Sequence, residues 1–378
     1  MATYIHELPR WPALTWNQER LAPVLADVRH RQGRLAGRMD ALGFELRTEA
    51  NLRNLTEDVL KTSEIEGERL DIGQVRSSIA RRLGLDIGGL VAADRHVEGI
   101  VEVMLDATRN HAAPLSKDRL CAWHAALFPT GRSGMRKTRT GAWRDDATGP
   151  MQVVSGPMGR ERVHFEAPAA SRLDEEMSIF LDWFNKADAI DPVLKAALAH
   201  FWFVTVHPFD DGNGRIARVI ADMALARSER SAQRFYSMSA QIRLDRDAYY
   251  DTLEAAQKGT LDVTAWIDWF LHCLARAIER AQELLDAVLR KARFWNSPIT
   301  QSFNERQRKL VNRLLDGFDG RMTSSKWARI AKCSQDSAAR DILGLVARGI
   351  LQRNPGGGRS TSYSLAVPEG ETDRATPC

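Results

Sequence analysis

Apolar residues recur every three to four positions along most of the chain. Over Asn17–Ala41 they fall at Leu21, Val24, Leu25, Val28 and Leu35, with charges between them. Asn51–Leu70 continues with Leu52, Leu55, Val59, Leu60 and Ile65. Each is the one-sided stripe of an amphipathic helix. Asp94–Asn110 repeats the pattern, and Pro114 closes it. Between Thr130 and Pro168 the period is lost. Glycines 131, 134, 141, 149, 156 and 159 lie among short runs such as Met151-Gln-Val-Val and Arg162-Val-His-Phe. This predicts loops and one small hairpin turning near Gly156–Gly159. Helical spacing returns over Ser171–Lys186, Pro192–Val206, Arg215–Arg227, Arg246–Lys258 and Val263–Phe294.

Ser297-Pro298 marks a boundary. Beyond it, Glu305–Leu315, Ser324–Lys332 and Gln335–Gly349 predict three short helices, and Ile350–Leu365 predicts two strands around a glycine turn. Three helices and a hairpin is a winged-helix layout. The final segment 368–378 is polar and expected to be disordered. A chain of 378 residues can hold two or three domains. The start of the sequence has no secretory pattern, and the apolar stretch Ala196–Val206 is far shorter than the ~20 residues of a membrane span. A cytoplasmic location without a membrane partner is therefore expected. Cys121, Cys273, Cys333 and Cys378 show no metal-ligand spacing and are expected to be reduced thiols. Net charge is +4, unevenly spread: Gln301–Ala366 carries 12 Lys/Arg against 5 Asp/Glu, a balance of +7, while residues 1–300 carry 40 against 41. The basic character belongs to the C-terminal module.

The chemistry concentrates in His207-Pro-Phe-Asp-Asp-Gly-Asn-Gly-Arg-Ile-Ala-Arg218. Pro192–Val206 is apolar on nearly every side and predicts a buried helix, which Pro208 tends to end. Gly212 and Gly214 permit a turn with bare backbone N–H groups, feeding a new helix. Such a helix N-terminus favours phosphate oxygens. Asn213 offers a further side-chain donor. Arg215 and Arg218 share one helix face and suit a bidentate clamp on a di- or triphosphate. Asp211 is a hard oxygen ligand beside the phosphates, which suits Mg²⁺. His207, with an ordinary pKa near ~6.5, suits a general base.

This segment resembles the signature of the Fic/Doc family: His, Pro, Phe, any, Asp/Glu, Gly-Asn-Gly-Arg, any two, Arg. The resemblance implies transfer of AMP from ATP to a Ser, Thr or Tyr hydroxyl, with release of pyrophosphate. By position it implies His207 as the base, Asp211 as the Mg²⁺ ligand, and Gly212, Asn213 and Gly214 as the cradle of the α- and β-phosphates. Arg215 would lie at the β end, and Arg218 would grip the γ-phosphate. The implied fold is all-α, a Fic helical core with a small β-hairpin flap, here Met151–Phe165. Val163, His164 and Phe165 of the flap, with Tyr249, Tyr250 and Gln257 on the adenine side, complete the implied binding residues. Gly141-Ala-Trp-Arg144 resembles a family element leading into the flap, or else is a structural turn. Thr62-Ser-Glu-Ile-Glu66-Gly67 resembles the inhibitory helix of the class that carries it N-terminal to the core. There Glu66 would pair with Arg218 and remove the γ-phosphate clamp. Glu64 and Glu68 are expected on the surface.

The expected domains are an N-terminal helical region 1–110 carrying the inhibitory helix at about 50–70, a Fic core 111–275, a connecting helix 276–299 and a winged helix 300–367. In the winged helix, Ser334, Gln335, Asp336, Ser337 and Arg340 would face a DNA major groove, and Arg353 and Arg359, flanking Gly356–Gly358, would meet phosphates. Protein docking through the same module stays open. So do self-modification and a homodimer. The leading expectation is an auto-inhibited protein adenylyltransferase. The alternatives are removal of AMP from a modified target by the same site, and a nucleotide-sensing, DNA-binding regulator.

Overall fold

The computed structural model describes residues 4–86, 89–147, 149–157, 159–187, 189–315, 321–355 and 361–366. Helices dominate, and the chain divides into two compact units, Met1–Ala281 and Gln282–Cys378.

The first unit opens with α1 (Gln18–Asp40), capped by the Asn17 side chain, and α2 (Phe44–Ile65). Next come α3 (Ile72–Leu83), α4 (Arg95–Arg109) and α5 (Lys117–Leu127), each capped by an Asp or Ser side chain. Two antiparallel hairpins follow: β1 (Arg132–Ser133) with β2 (Arg136–Lys137), then β3 (Gln152–Ser155) with β4 (Arg162–Glu166). The second is the expected flap. The helices α6 (Leu173–Asn185), α7 (Pro192–Val206), α8 (Asn213–Glu229), α9 (Met238–Leu244), α10 (Arg246–Gln257) and α11 (Thr264–Asn296) complete the run.

Helix α7 forms the centre of the core. Its residues from Val193 to Val206 are buried almost without interruption, and α8 packs along it. This is why the sequence reads as apolar on every side of α7: a helix surrounded by other helices needs no polar face.

The second unit contains α12 (Glu305–Leu315), α13 (Ser324–Ala331) and α14 (Gln335–Ala347). A three-stranded antiparallel sheet closes it, with β5 (Met322–Thr323) and β6 (Leu351–Arg353) on either side of β7 (Ser362–Leu365). Its core gathers Leu310, Trp327, Ile342 and Leu345. Gly356–Gly358, Arg359, Cys378 and the expected tail 368–378 lie outside the described residues. The division between the units falls inside α11. Among the described residues, no helix is long and apolar enough to cross a membrane.

Candidate active site

Helix α7 ends at His207, whose backbone is left-handed at φ 52 and ψ 58. That conformation is uncommon for any residue but glycine, so neighbouring structure must hold it. Arg144 does so. Its Nε donates to the His207 carbonyl at 2.8 Å, and its backbone N–H donates to the Pro208 carbonyl at 2.9 Å. The guanidinium is buried and also donates to the Pro168 carbonyl at 2.5 Å. The His207 Nδ1 lies 3.2 Å from the Val204 carbonyl, which can only accept. Nδ1 therefore carries the hydrogen, and Nε2 keeps its lone pair. Burial lowers the imidazole pKa to about 4, so the ring is neutral at neutral pH.

The loop after His207 rests on an aromatic floor. Phe209 is fully buried, stacked on His124 at 4.2 Å and packed on Trp143 at 4.9 Å. The Gly141 N–H donates to His124 Nδ1 at 3.1 Å, which leaves the hydrogen on Nε2, 3.2 Å from the Asp211 carbonyl. Burial lowers the His124 pKa to about 4, so this neutral tautomer persists. Asn213 departs from its expected role as a phosphate donor. It is buried, and its amide folds back on Phe209, accepting the Phe209 N–H at 3.0 Å and donating to the Phe209 carbonyl at 2.7 Å. It braces the loop.

The flanking glycines have distinct reasons. Gly212 sits at φ 78, and a Cβ there would lie 2.8 Å from the Phe128 ring. A Cβ on Gly214 would lie 2.6 Å from Glu66 Oε1. The Asp211 carboxylate accepts from the Ser133 hydroxyl and, at 2.5 Å, from the Gly212 N–H. Among the described residues no group of three or more His, Cys, Asp or Glu could hold a metal ion. An ion at Asp211 would draw its other ligands from phosphates and water, which fits Mg²⁺ rather than a metal needing a protein cage.

Arg215 and Arg218 are each 2% exposed at the start of α8. Arg218 donates from Nε to the Thr62 hydroxyl at 2.8 Å, and from Nη2 to the Thr62 carbonyl at 3.1 Å and Glu66 Oε1 at 2.7 Å. Burial works against the charged guanidinium, but the Glu66 carboxylate together with Tyr249 and Tyr250 raises the Arg218 pKa above its ordinary value. Arg215 donates from Nη1 to Glu68 Oε2 at 2.9 Å and lies over the Phe128 ring at 4.9 Å. Two donors, Arg215 Nε and Arg218 Nη1, are buried with no partner. Each orphan costs about 1–3 kcal/mol, which an arriving anion would recover. Glu66 is thus where the sequence put it. Glu68 is partly exposed, as Glu64 is, but its carboxylate pairs with the buried Arg215, and His96 Nε2 lies 3.1 Å from the same oxygen. Glu64 pairs with Lys61 at the periphery.

Helix α2 meets the core through a polar stripe at four-residue spacing. Asn54 donates to the Arg234 and Tyr236 carbonyls, both at 3.0 Å. Asp58 is fully buried and accepts from Ser237 and Arg234, and Arg234 also pairs with Asp222 on α8 at 2.6 Å. Thr62 and Glu66 continue the stripe to Arg218. His124 and Arg234 were missed in the sequence because their partners are backbone atoms or residues far along the chain, while Arg144 was read only as part of the Gly141–Arg144 element and Glu68 only as a surface residue.

Among the expected flap residues, Val163 is exposed. Both His164 nitrogens are engaged, Nδ1 with Glu254 and Nε2 with Ser155, each at 2.5 Å. Phe165 is 1% exposed and packs on Tyr4 and His6, because the flap base needs an apolar anchor. Tyr249 is buried, with its hydroxyl 3.0 Å from His200 Nε2, and both Tyr249 and Tyr250 feel the charges of Glu66 and Arg218. Gln257 donates to the Thr205 hydroxyl at 3.3 Å.

Residues 114–225 match the Fic/DOC family, and residues 4–85 match a domain of unknown function, DUF4172. Curated relatives include a protein adenylyltransferase Fic of Nematostella vectensis, 33% identical over 136 residues, covering 32% of this chain and 30% of the relative. Another, from Aedes aegypti, is 25% identical over 276 residues, covering 70% of this chain and 50% of the relative. The chain thus spans about a third to a half of the length of these relatives. A solved Fic family protein from Desulfovibrio desulfuricans G20 is similar at TM-score 0.51 and 20% identity, covering 92% of this chain and 97% of that one. A Fic domain containing signaling protein from Bacteroides thetaiotaomicron gives the same TM-score and identity over 68% of this chain and 95% of its own. The fold is theirs, and the segment that matches the Fic/DOC family, residues 114–225, contains the His207–Arg218 loop and the start of α8.

Proposed function

We propose that the chain is an auto-inhibited protein adenylyltransferase that moves AMP from ATP onto a hydroxyl of a target protein or of itself. One observation carries the reading. Two buried arginines, each with an unpartnered N–H, stand at a helix N-terminus beside a neutral histidine whose Nε2 is free. Such a socket suits a polyphosphate, and the histidine suits removal of a hydroxyl proton. The similarity to protein adenylyltransferases Fic of Nematostella vectensis and Aedes aegypti supports the same activity.

In this mechanism the Gly212–Gly214 backbone and the start of α8 bind the α- and β-phosphates. Arg215 and Arg218 neutralise the β- and γ-phosphates. His207 Nε2 accepts the acceptor's proton while its oxygen bonds to the α-phosphorus. The bond from that phosphorus to the bridging oxygen breaks, and pyrophosphate leaves. Asp211 would hold Mg²⁺, which supplies charge neutralisation to the phosphates when bound. The β3–β4 flap would pair with the target's backbone as an added strand.

Glu66 is the brake. With its carboxylate on Arg218 Nη2, the γ-phosphate finds its clamp occupied and like charge in its path. The test is to incubate Glu66→Gly with ATP and measure protein mass and released pyrophosphate. Adenylate adducts with matching pyrophosphate support the reading, and phosphate adducts overturn it.

For the second unit we propose a winged helix that binds a polyanion. The balance of +7 and the exposed Gln335, Asp336 and Arg340 at the start of α14 support this.

A further inference from the structure

We propose that the site carries two brakes rather than one. Glu68 blocks the β-phosphate position at Arg215, as Glu66 blocks the γ-phosphate position at Arg218. This rests on the nucleotide-binding reading above.

The arrangement begins at the end of α2. Gly67 is left-handed at φ 84. The Glu68 N–H reaches back to the Ser63 carbonyl at 3.0 Å, and the Gly67 N–H to the Glu64 carbonyl at 3.1 Å. This pair of bonds is a Schellman stop, the usual way a glycine ends a helix. It places Glu66 on the last helical turn and Glu68 just past the glycine, and both carboxylates reach α8. They meet two arginines one turn apart: Glu66 meets Arg218 at 2.7 Å, and Glu68 meets Arg215 at 2.9 Å.

Electrostatics argues that this is more than a surface accident. Three glutamates, 64, 66 and 68, crowd the C-terminal end of α2, and the last turn holds no basic residue. Negative charge there opposes the helix dipole. Glu64 has Lys61 beside it, but Glu66 and Glu68 draw on cations from α8. His96 on α4 contacts the same Glu68 oxygen and fixes it from the other side. Arg215 is itself held in place over Phe128. A β-phosphate seeking Arg215 must therefore displace a carboxylate that two elements hold there.

The two brakes differ in which nucleotide senses them. ADP ends at the β-phosphate, so it meets the Glu68–Arg215 pair but does not need Arg218. ATP meets both pairs. Relief of Glu66 alone leaves the β-phosphate clamp covered.

The test is calorimetric titration of ADP and ATP, each with Mg²⁺, into full-length wild type, Glu68→Gln, Glu66→Gly and the double variant. Glutamine keeps the shape of Glu68 and removes the charge. Glu68→Gln is expected to tighten ADP about two- to fivefold, the size suited to a half-exposed ion pair. Glu66→Gly is expected to leave ADP unchanged and tighten ATP, and the double variant to bind ATP tightest. Gly67→Ala, strained at its positive φ, should loosen both brakes at once. Unchanged ADP affinity in Glu68→Gln, with ATP tightened by Glu66→Gly, overturns the second brake and leaves the proposed function standing. No binding of either nucleotide by any variant overturns both.

Discussion

The proton on His207 is positioned before any substrate arrives. Val204 fixes it on Nδ1, and burial keeps the ring neutral with a pKa lowered to about 4. The sign follows directly: above that value the ring is a base, below it a cation unable to accept. The acidic limb of transfer by Glu66→Gly should therefore lie well below pH 6, not at the ~6.5 of a free imidazole. A profile falling with a midpoint near 6.5 would mean the buried geometry is not the one at work. Arg144 invites a second check. Lysine keeps the charge but loses the planar fork that grips the His207 and Pro168 carbonyls. Arg144→Lys should lower kcat by roughly 10²-fold with little change in KM for ATP, because it misplaces the base rather than the nucleotide. The sequence shows His207, Asp211, Arg215 and Arg218 because they crowd twelve consecutive positions. It shows Arg144 only as part of the Gly141–Arg144 element and hides His124, whose partners are main-chain atoms that leave no pattern.

At the level of elements, α2 explains how a brake can be reliable. Asn54, Asp58, Thr62 and Glu66 are spaced four apart and line the face that meets α8 and the segment before α9. Thr62→Val removes the hydroxyl that accepts from Arg218 Nε and keeps the shape. We expect it to cost about 1 kcal/mol of stability, seen as a lower urea midpoint. Self-labelling should rise, but less than in Glu66→Gly; no rise would separate Thr62 from inhibition. The apolar period revealed that α2 exists, yet it placed the helix over Asn51–Leu70, whereas it runs from Phe44 to Ile65. The stop is set by Gly67, a turn signal that the surrounding glutamates disguised. Other elements escaped the pattern altogether. Helix α3 buries Ser77 and Ser78 among Val75, Ile79 and Ala80, so its apolar stripe is interrupted. The β1–β2 hairpin has only two residues per strand, too few for alternation to register.

For the whole molecule, charge separates what the fold alone does not. The first 300 residues are nearly balanced, while the basic excess lies in the C-terminal module. If that unit binds DNA, retention of the full chain on duplex DNA should weaken steeply with salt, and Arg340→Glu should reduce it severalfold. Retention independent of salt, or insensitive to Arg340, would favour protein docking through the same surface. The three short helices and the strand pair were legible because each ends at glycine or polar turn residues. The third strand, Met322–Thr323, was not, because two residues carry no period.

The central claim is tested most directly by incubating wild type, Glu66→Gly and His207→Ala with ATP labelled on either the α- or the γ-phosphate. The account predicts protein labelled from the α-phosphate alone, strongest in Glu66→Gly and absent in His207→Ala. Label arriving from the γ-phosphate, or equal labelling in all three proteins, would contradict it.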